Sequence, residues 1–117
     1  MKKVFQTGAT DCLKACIASI TGEDINRVPD FSANMTNWMR NIKRYLARRG
    51  FATKAVSNCG EIDQRCYSIA AVDPFVFNGA VIAHAVIVRG GKVVHDPARR
   101  KIKKNYELVY GLEISRV

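Results

Sequence analysis

With 117 residues, 48% of them hydrophobic and 25% charged, the chain has the length of one domain around a single core and the composition of an ordinary folded protein. No apolar run approaches the roughly 18 residues that span a bilayer. The start, Met1-Lys2-Lys3-Val4-Phe5-Gln6, lacks the apolar stretch of a secretory signal, so the expectation is a single domain over 1–117, cytoplasmic and without a membrane. The formal net charge of +9 speaks to partners rather than fold, and fits nucleic acid or an acidic protein as well as a plain solvated surface.

The first element is a helix from Thr10 to Ile20. Leu13, Cys16, Ile17 and Ile20 recur at helical spacing, Thr10 or Asp11 is placed to cap the start, and Gly22 stands past the end. Its first turn holds Cys12. Glu23 to Val28 is read as one more helical turn before Pro29, and Asp30 to Asn34 as loop. A second helix is expected from about Asn37 to Arg49: Thr36 is the cap candidate, Trp38, Met39, Ile42, Tyr45 and Leu46 form one stripe, and Gly50 ends it.

Strands follow. Phe51 to Val56 reads as one, Ser57 to Gln64 as a loop, and Cys66 to Val72 as a strand or turn closed by Asp73-Pro74. Ala80 to Val88 and Lys92 to His95, separated by Gly90-Gly91, form a hairpin of largely buried strands, and Glu107 to Ile114 makes a final strand in which Gly111 marks a bulge. Helices first and an antiparallel sheet afterwards define an α+β domain.

Four cysteines, Cys12, Cys16, Cys59 and Cys66, would suffice for two disulfides, but without a secretory signal free thiols are the default. With His84 or His95 they would also offer zinc ligands; the C-x3-C and C-x6-C spacings are not those of a zinc finger or ribbon, and neither metal nor cofactor is expected.

Cys12 occupies a special place, because unpaired backbone N–H groups and the dipole at a helix N-terminus stabilise a thiolate. Cys16, one turn inward, falls on the buried face. An activated thiol needs a base, and the two histidines are His84 and His95. A two-residue Gly90-Gly91 turn would pair Val88 with Val93 and put His84 and Asp96 on opposite faces. A three-residue loop, Arg89-Gly90-Gly91, pairs Val88 with Lys92 and sets His84 directly opposite Asp96, close enough for the carboxylate to orient the imidazole. His95 then alternates onto the other face as a structural residue. Gln6 would complete the set, its amide joining the Cys12 N–H as donor to an oxyanion.

These residues resemble a family. Gln6, Asp11-Cys12 with Ala15-Cys16, and His84-Ala-Val-Ile-Val with Gly91-Lys-Val-Val-His-Asp96-Pro97 look like papain-like cysteine peptidases of the bacteriocin-processing, double-glycine leader type, and like small free-standing relatives in bacteriophages and bacteria. In that family a glutamine precedes the catalytic cysteine by this interval, the cysteine stands in a D-C-G-x-A-C pattern, and the strand histidine is followed by an aspartate in a D-P dipeptide; here Leu13 stands where the family has glycine. The resemblance implies a papain-like fold, Cys12 as nucleophile, His84 as general base and acid, Asp96 as orienting residue, Gln6 in the oxyanion hole, and a peptide or protein substrate. The competing expectation is an inactive papain-like scaffold that binds nucleic acid or an acidic protein through Arg40, Lys43, Arg44, Arg48 and Arg49 or through Arg99, Arg100, Lys101, Lys103 and Lys104.

Overall fold

Two glycines set the lengths of the helices. The structure, a computed structural model, describes residues 1–8, 11–31, 38–56, 65–99 and 101–117. Expectations on Thr10, Thr36, Asn37, the 57–64 loop, Cys59 and Arg100 lie outside these residues. Helix α1 (Cys12–Thr21) buries Ala15, Cys16, Ile17, Ala18 and Ser19, and Gly22, left-handed at φ 79°, donates its N–H to the Ala18 carbonyl at 2.9 Å. Asp11 is the N-cap residue, but its side chain makes no cap hydrogen bond to the helix, contrary to expectation. The short helical turn after it is a 3-10 turn at Ile25–Arg27, capped by the Asp24 carboxylate. Helix α2 (Trp38–Ala47) buries Ile42, Tyr45 and Leu46 and leaves Arg40, Lys43, Arg44 and Ala47 exposed; Gly50, at φ 84°, ends the turn that follows.

Strands β1 (Phe51–Val56), β2 (Tyr67–Phe77), β3 (Ala80–Arg89), β4 (Lys92–His95) and β5 (Leu108–Arg116) form one antiparallel sheet in the order β1-β5-β2-β3-β4. Helix α1 packs on β3 and β2, and α2 on β1. The main core lies between helices and sheet and joins Ile17, Ile42, Leu46, Phe51, Ile69, Ile87, Leu112 and Ile114. Ile17 is fully buried, worth about 2–3 kcal/mol relative to an exposed position. A smaller cluster holds Ala70, Val72, Val86 and Val88, with Val93, Tyr106 and Leu108 packed against it.

Three register shifts correct the sequence reading. Asp73-Pro74 does not close β2. The strand continues through them, because Val72 pairs with His84 and Phe75 with Ile82, so two residues face one in a bulge that places Pro74 where no ladder donor is needed. Asp73, at φ 51°, turns its N–H to the Glu107 carbonyl at 2.8 Å. In β5 the shift falls at Val109, between the Ala71–Tyr110 and Val72–Leu108 pairs, and not at Gly111.

The third shift decides the histidine. The β3–β4 turn is the tight two-residue Gly90-Gly91 form, with Arg89 paired to Lys92 and Val88 to Val93, because both glycines adopt positive φ, 63° and 75°. A bulge at Val94 then pairs Ile87 with His95. Continued by one residue, this register sets Asp96 beside Val86, two residues from His84 and on its side of the strand. The bulge restores the parity that the turn alone would have lost, and the His84–Asp96 relation is diagonal instead of directly opposite.

Candidate active site

Helix α1 delivers a thiol and the edge of the sheet delivers an imidazole and a carboxylate. Cys12 is the first residue of α1 and partly buried. Burial works to raise its pKa, but the His84 hydrogen bond, the Ala85 and Leu13 amides and the charge of His84 together hold it below the ordinary thiol value.

His84 shows the reciprocal shift. The Cys12 hydrogen bond raises its pKa, burial opposes, and the hydrogen bond and charge of Asp96 add to the rise, leaving the net above the ordinary histidine value. His84 Nε2 lies 2.7 Å from Asp96 Oδ1, which leaves Nδ1 as the nitrogen to serve the sulfur. The His84 side chain is 14% exposed and that of Asp96 is fully buried. A buried carboxylate costs several kcal/mol unless its oxygens are occupied. Asp96 Oδ1 also accepts the Ala98 N–H at 3.0 Å, and Oδ2 accepts the Tyr106 hydroxyl at 3.0 Å.

Tyr106 is the residue that sequence reasoning missed. It is the sole aromatic between Pro97 and the last strand, in a stretch read as a solvated basic loop. Asp73, at the β2 bulge, holds that loop in place: its carboxylate accepts the Glu107 N–H at 2.8 Å and pairs with the Lys103 ammonium, while the Lys103 N–H donates to the Tyr106 hydroxyl at 3.1 Å.

Gln6 reaches the same end of the sheet through the N-terminal segment. The Gln6 N–H donates to the Pro97 carbonyl at 2.9 Å, His95 Nε2 donates to the Val4 carbonyl at 2.6 Å, and Ser19 of α1 accepts the Val4 N–H at 2.9 Å. Phe5 is held between the His95 ring, 5.0 Å away edge-on, and the Arg99 guanidinium at 4.9 Å. His95 is buried and ties the N-terminal segment to β4. The Gln6 amide nitrogen donates to the Gly8 carbonyl at 2.8 Å; among the described residues its second hydrogen has no acceptor, and the amide oxygen is buried without a partner. Asp11 shapes this loop instead of capping the helix, accepting from the Thr7 N–H, the Thr7 hydroxyl and the Gly8 N–H. Burial opposes, but those bonds keep the Asp11 carboxyl below its usual pKa.

Cys16 is fully buried, and burial, with the negative charges of Cys12 and Asp96, pushes its thiol well above the ordinary value. Cys12 and Cys16 are free thiols. Among the described residues no group of three His, Cys, Asp or Glu side chains is close enough to hold a metal, and no helix is long and apolar enough to cross a membrane. No protein-family model, curated protein or solved structure matches the chain.

Proposed function

We propose that the protein is a cysteine-dependent hydrolase of the papain-like kind, a small free-standing relative of the bacteriocin-processing peptidases, acting on an amide bond in a peptide or protein. The observation that carries this reading is the His84 ring held at 2.7 Å by the buried Asp96 carboxylate, with Cys12 as the first residue of α1; the lowered pKa of Cys12 and the raised pKa of His84 agree with it. Both directions favour a thiolate beside an imidazolium, the form of the nucleophile that needs no proton removed before attack.

In this mechanism the Cys12 sulfur adds to the substrate carbonyl carbon. The oxyanion takes hydrogen bonds from the Cys12 N–H, at the positive end of α1, and from the uncommitted Gln6 amide hydrogen. His84 Nδ1 then gives its proton to the leaving amine as the C–N bond breaks, leaving a thioester on Cys12. Neutral His84 takes a proton from water, the resulting hydroxide attacks the thioester, and the acid product leaves with the thiolate restored. Asp96 keeps the imidazole oriented through Nε2 and stabilises its charged form without itself taking a proton. A side-chain amidase, an isopeptidase and an acyltransferase use the same steps and differ in what enters the cleft.

The test is acylation by an activated acetate ester, followed by stopped-flow absorbance and intact-protein mass spectrometry. The expected result is a burst stoichiometric with enzyme and one acetyl group mapped to Cys12, both lost in Cys12→Ala and in His84→Ala. No burst, or an acetyl group on Cys66 or Cys59, contradicts the proposal.

A further inference from the structure

Helix α2 presents one face of cations that no ion pair reaches among the described residues. At about 100° per residue, Arg40, Lys43, Arg44, Ala47 and Arg48 occupy a single stripe, and all are exposed. Ile42, Tyr45 and Leu46 turn the other way into the core. The Arg48 N–H donates to the Arg44 carbonyl at 3.2 Å, so the helical path carries the stripe one residue beyond α2. Arg40, Arg44 and Arg48 then step along the axis by about 6 Å each.

Five acidic residues among the described ones are engaged elsewhere. Glu23 holds Arg49, Asp24 caps the 3-10 turn, Asp73 holds Lys103, Asp96 holds His84, and Asp11 holds the Thr7–Gly8 turn. No ion pair among the described residues reaches Arg40, Lys43, Arg44 or Arg48. Helix α2 itself carries no acid.

The composition of the face selects the partner. A protein partner needs apolar or aromatic anchors that bury at the centre of the interface, and this stripe offers only Ala47 among its cations. A membrane-surface helix needs its apolar side free for the lipid, and that side of α2 is packed in the core. A regular row of guanidinium and ammonium groups with nothing apolar among them fits a row of phosphates. We infer that the exposed face of α2 is a docking surface for the phosphate backbone of nucleic acid, read without regard to base sequence. Helix α2 packs on β1, at the opposite edge of the sheet from β3 and β4, so a chain held there leaves Cys12 and His84 open. The inference does not depend on turnover at Cys12.

The experiment is fluorescence anisotropy with a labelled mixed-sequence DNA duplex over a series of salt concentrations. Wild type should bind with a slope of log affinity against log salt of about −3.6, four phosphate contacts at about 0.9 each. Replacing Arg40, Lys43, Arg44 and Arg48 together by glutamine should cost at least tenfold in affinity at low salt and flatten the slope. A charge-matched control, Lys2, Lys3, Lys101 and Lys104 to glutamine, should cost less than about threefold, since its cations lie off the stripe. Circular dichroism confirms that each variant is folded. Equal losses in the two variants, no binding by wild type, or tighter α2-dependent binding to polyglutamate or phosphatidylserine vesicles than to the duplex would overturn the inference.

Discussion

The first and second turns of α1 place the same side chain in two environments. Cys12 and Cys16 are one turn apart on the same helix and both are shielded from water, yet burial is outweighed at Cys12 and dominates at Cys16. The difference is what each sulfur can reach. His84 and the Ala85 and Leu13 backbone N–H groups favour the Cys12 thiolate, whereas Cys16 is packed among Ile17, Ile87 and the rest of the main core. The opposite directions of the two thiol pKa values are therefore set by donors and charge at the helix start, since burial alone would raise both.

The comparison can be broken most severely at Cys12. Cys12→Ala should remove the fast-alkylating thiol altogether, while Cys16→Ala should leave that reactivity unchanged and cost about 1 kcal/mol through a small cavity; iodoacetamide kinetics and urea unfolding read the two effects. Next comes His84→Ala. Loss of the imidazole removes what lowers the Cys12 pKa, so the thiolate fraction and with it Cys12 alkylation at pH 6 should fall below wild type.

Asp96→Asn should act more selectively, because the amide keeps the shape and removes the charge. The raised pKa of His84 means that its charge interactions stabilise the fold fully below the ordinary histidine value of 6.5 and lose that contribution as pH rises through the raised value. Urea unfolding of wild type should weaken across that range, and Asp96→Asn should show less of the dependence. The smallest effect on reactivity is expected from Tyr106→Phe. It strips the donor from a buried carboxylate oxygen, so it should lower stability by about 1–3 kcal/mol and slow alkylation only a few-fold, with the Cys12 pH profile keeping its shape.

Much of this was legible in the chain because local rules governed it. Apolar spacing and Gly22 define α1 and so put Cys12 at an N-terminus, and the amphipathic stripe with Gly50 defines α2. Cys12, His84 and Asp96 were readable as candidates from type and order, but the register that joins His84 to Asp96 was not. Gly90-Gly91 forms the tight turn that the sequence argument set aside, and the bulge at Val94 that rescues the parity has no local signature. Asp73-Pro74 looked like a strand end because proline breaks ladders; here it sits in a bulge beside the His84 pair, where the missing N–H costs nothing. Tyr106 was hidden for a different reason, since its partner Asp96 is reached through a loop fixed by Asp73 on another strand. Bulges and long-range tethers carry the site, and neither follows from periodicity.

The most direct measurement is the pH dependence of alkylation at each cysteine, followed by mass spectrometry in wild type and in His84→Ala. The account predicts that Cys12 in wild type titrates below the ordinary thiol value of about 8.5, that Cys16 stays unreactive in the native protein, and that Cys12 loses its advantage without His84. A wild-type Cys12 that follows an ordinary thiol, or one whose advantage survives in His84→Ala, would contradict it.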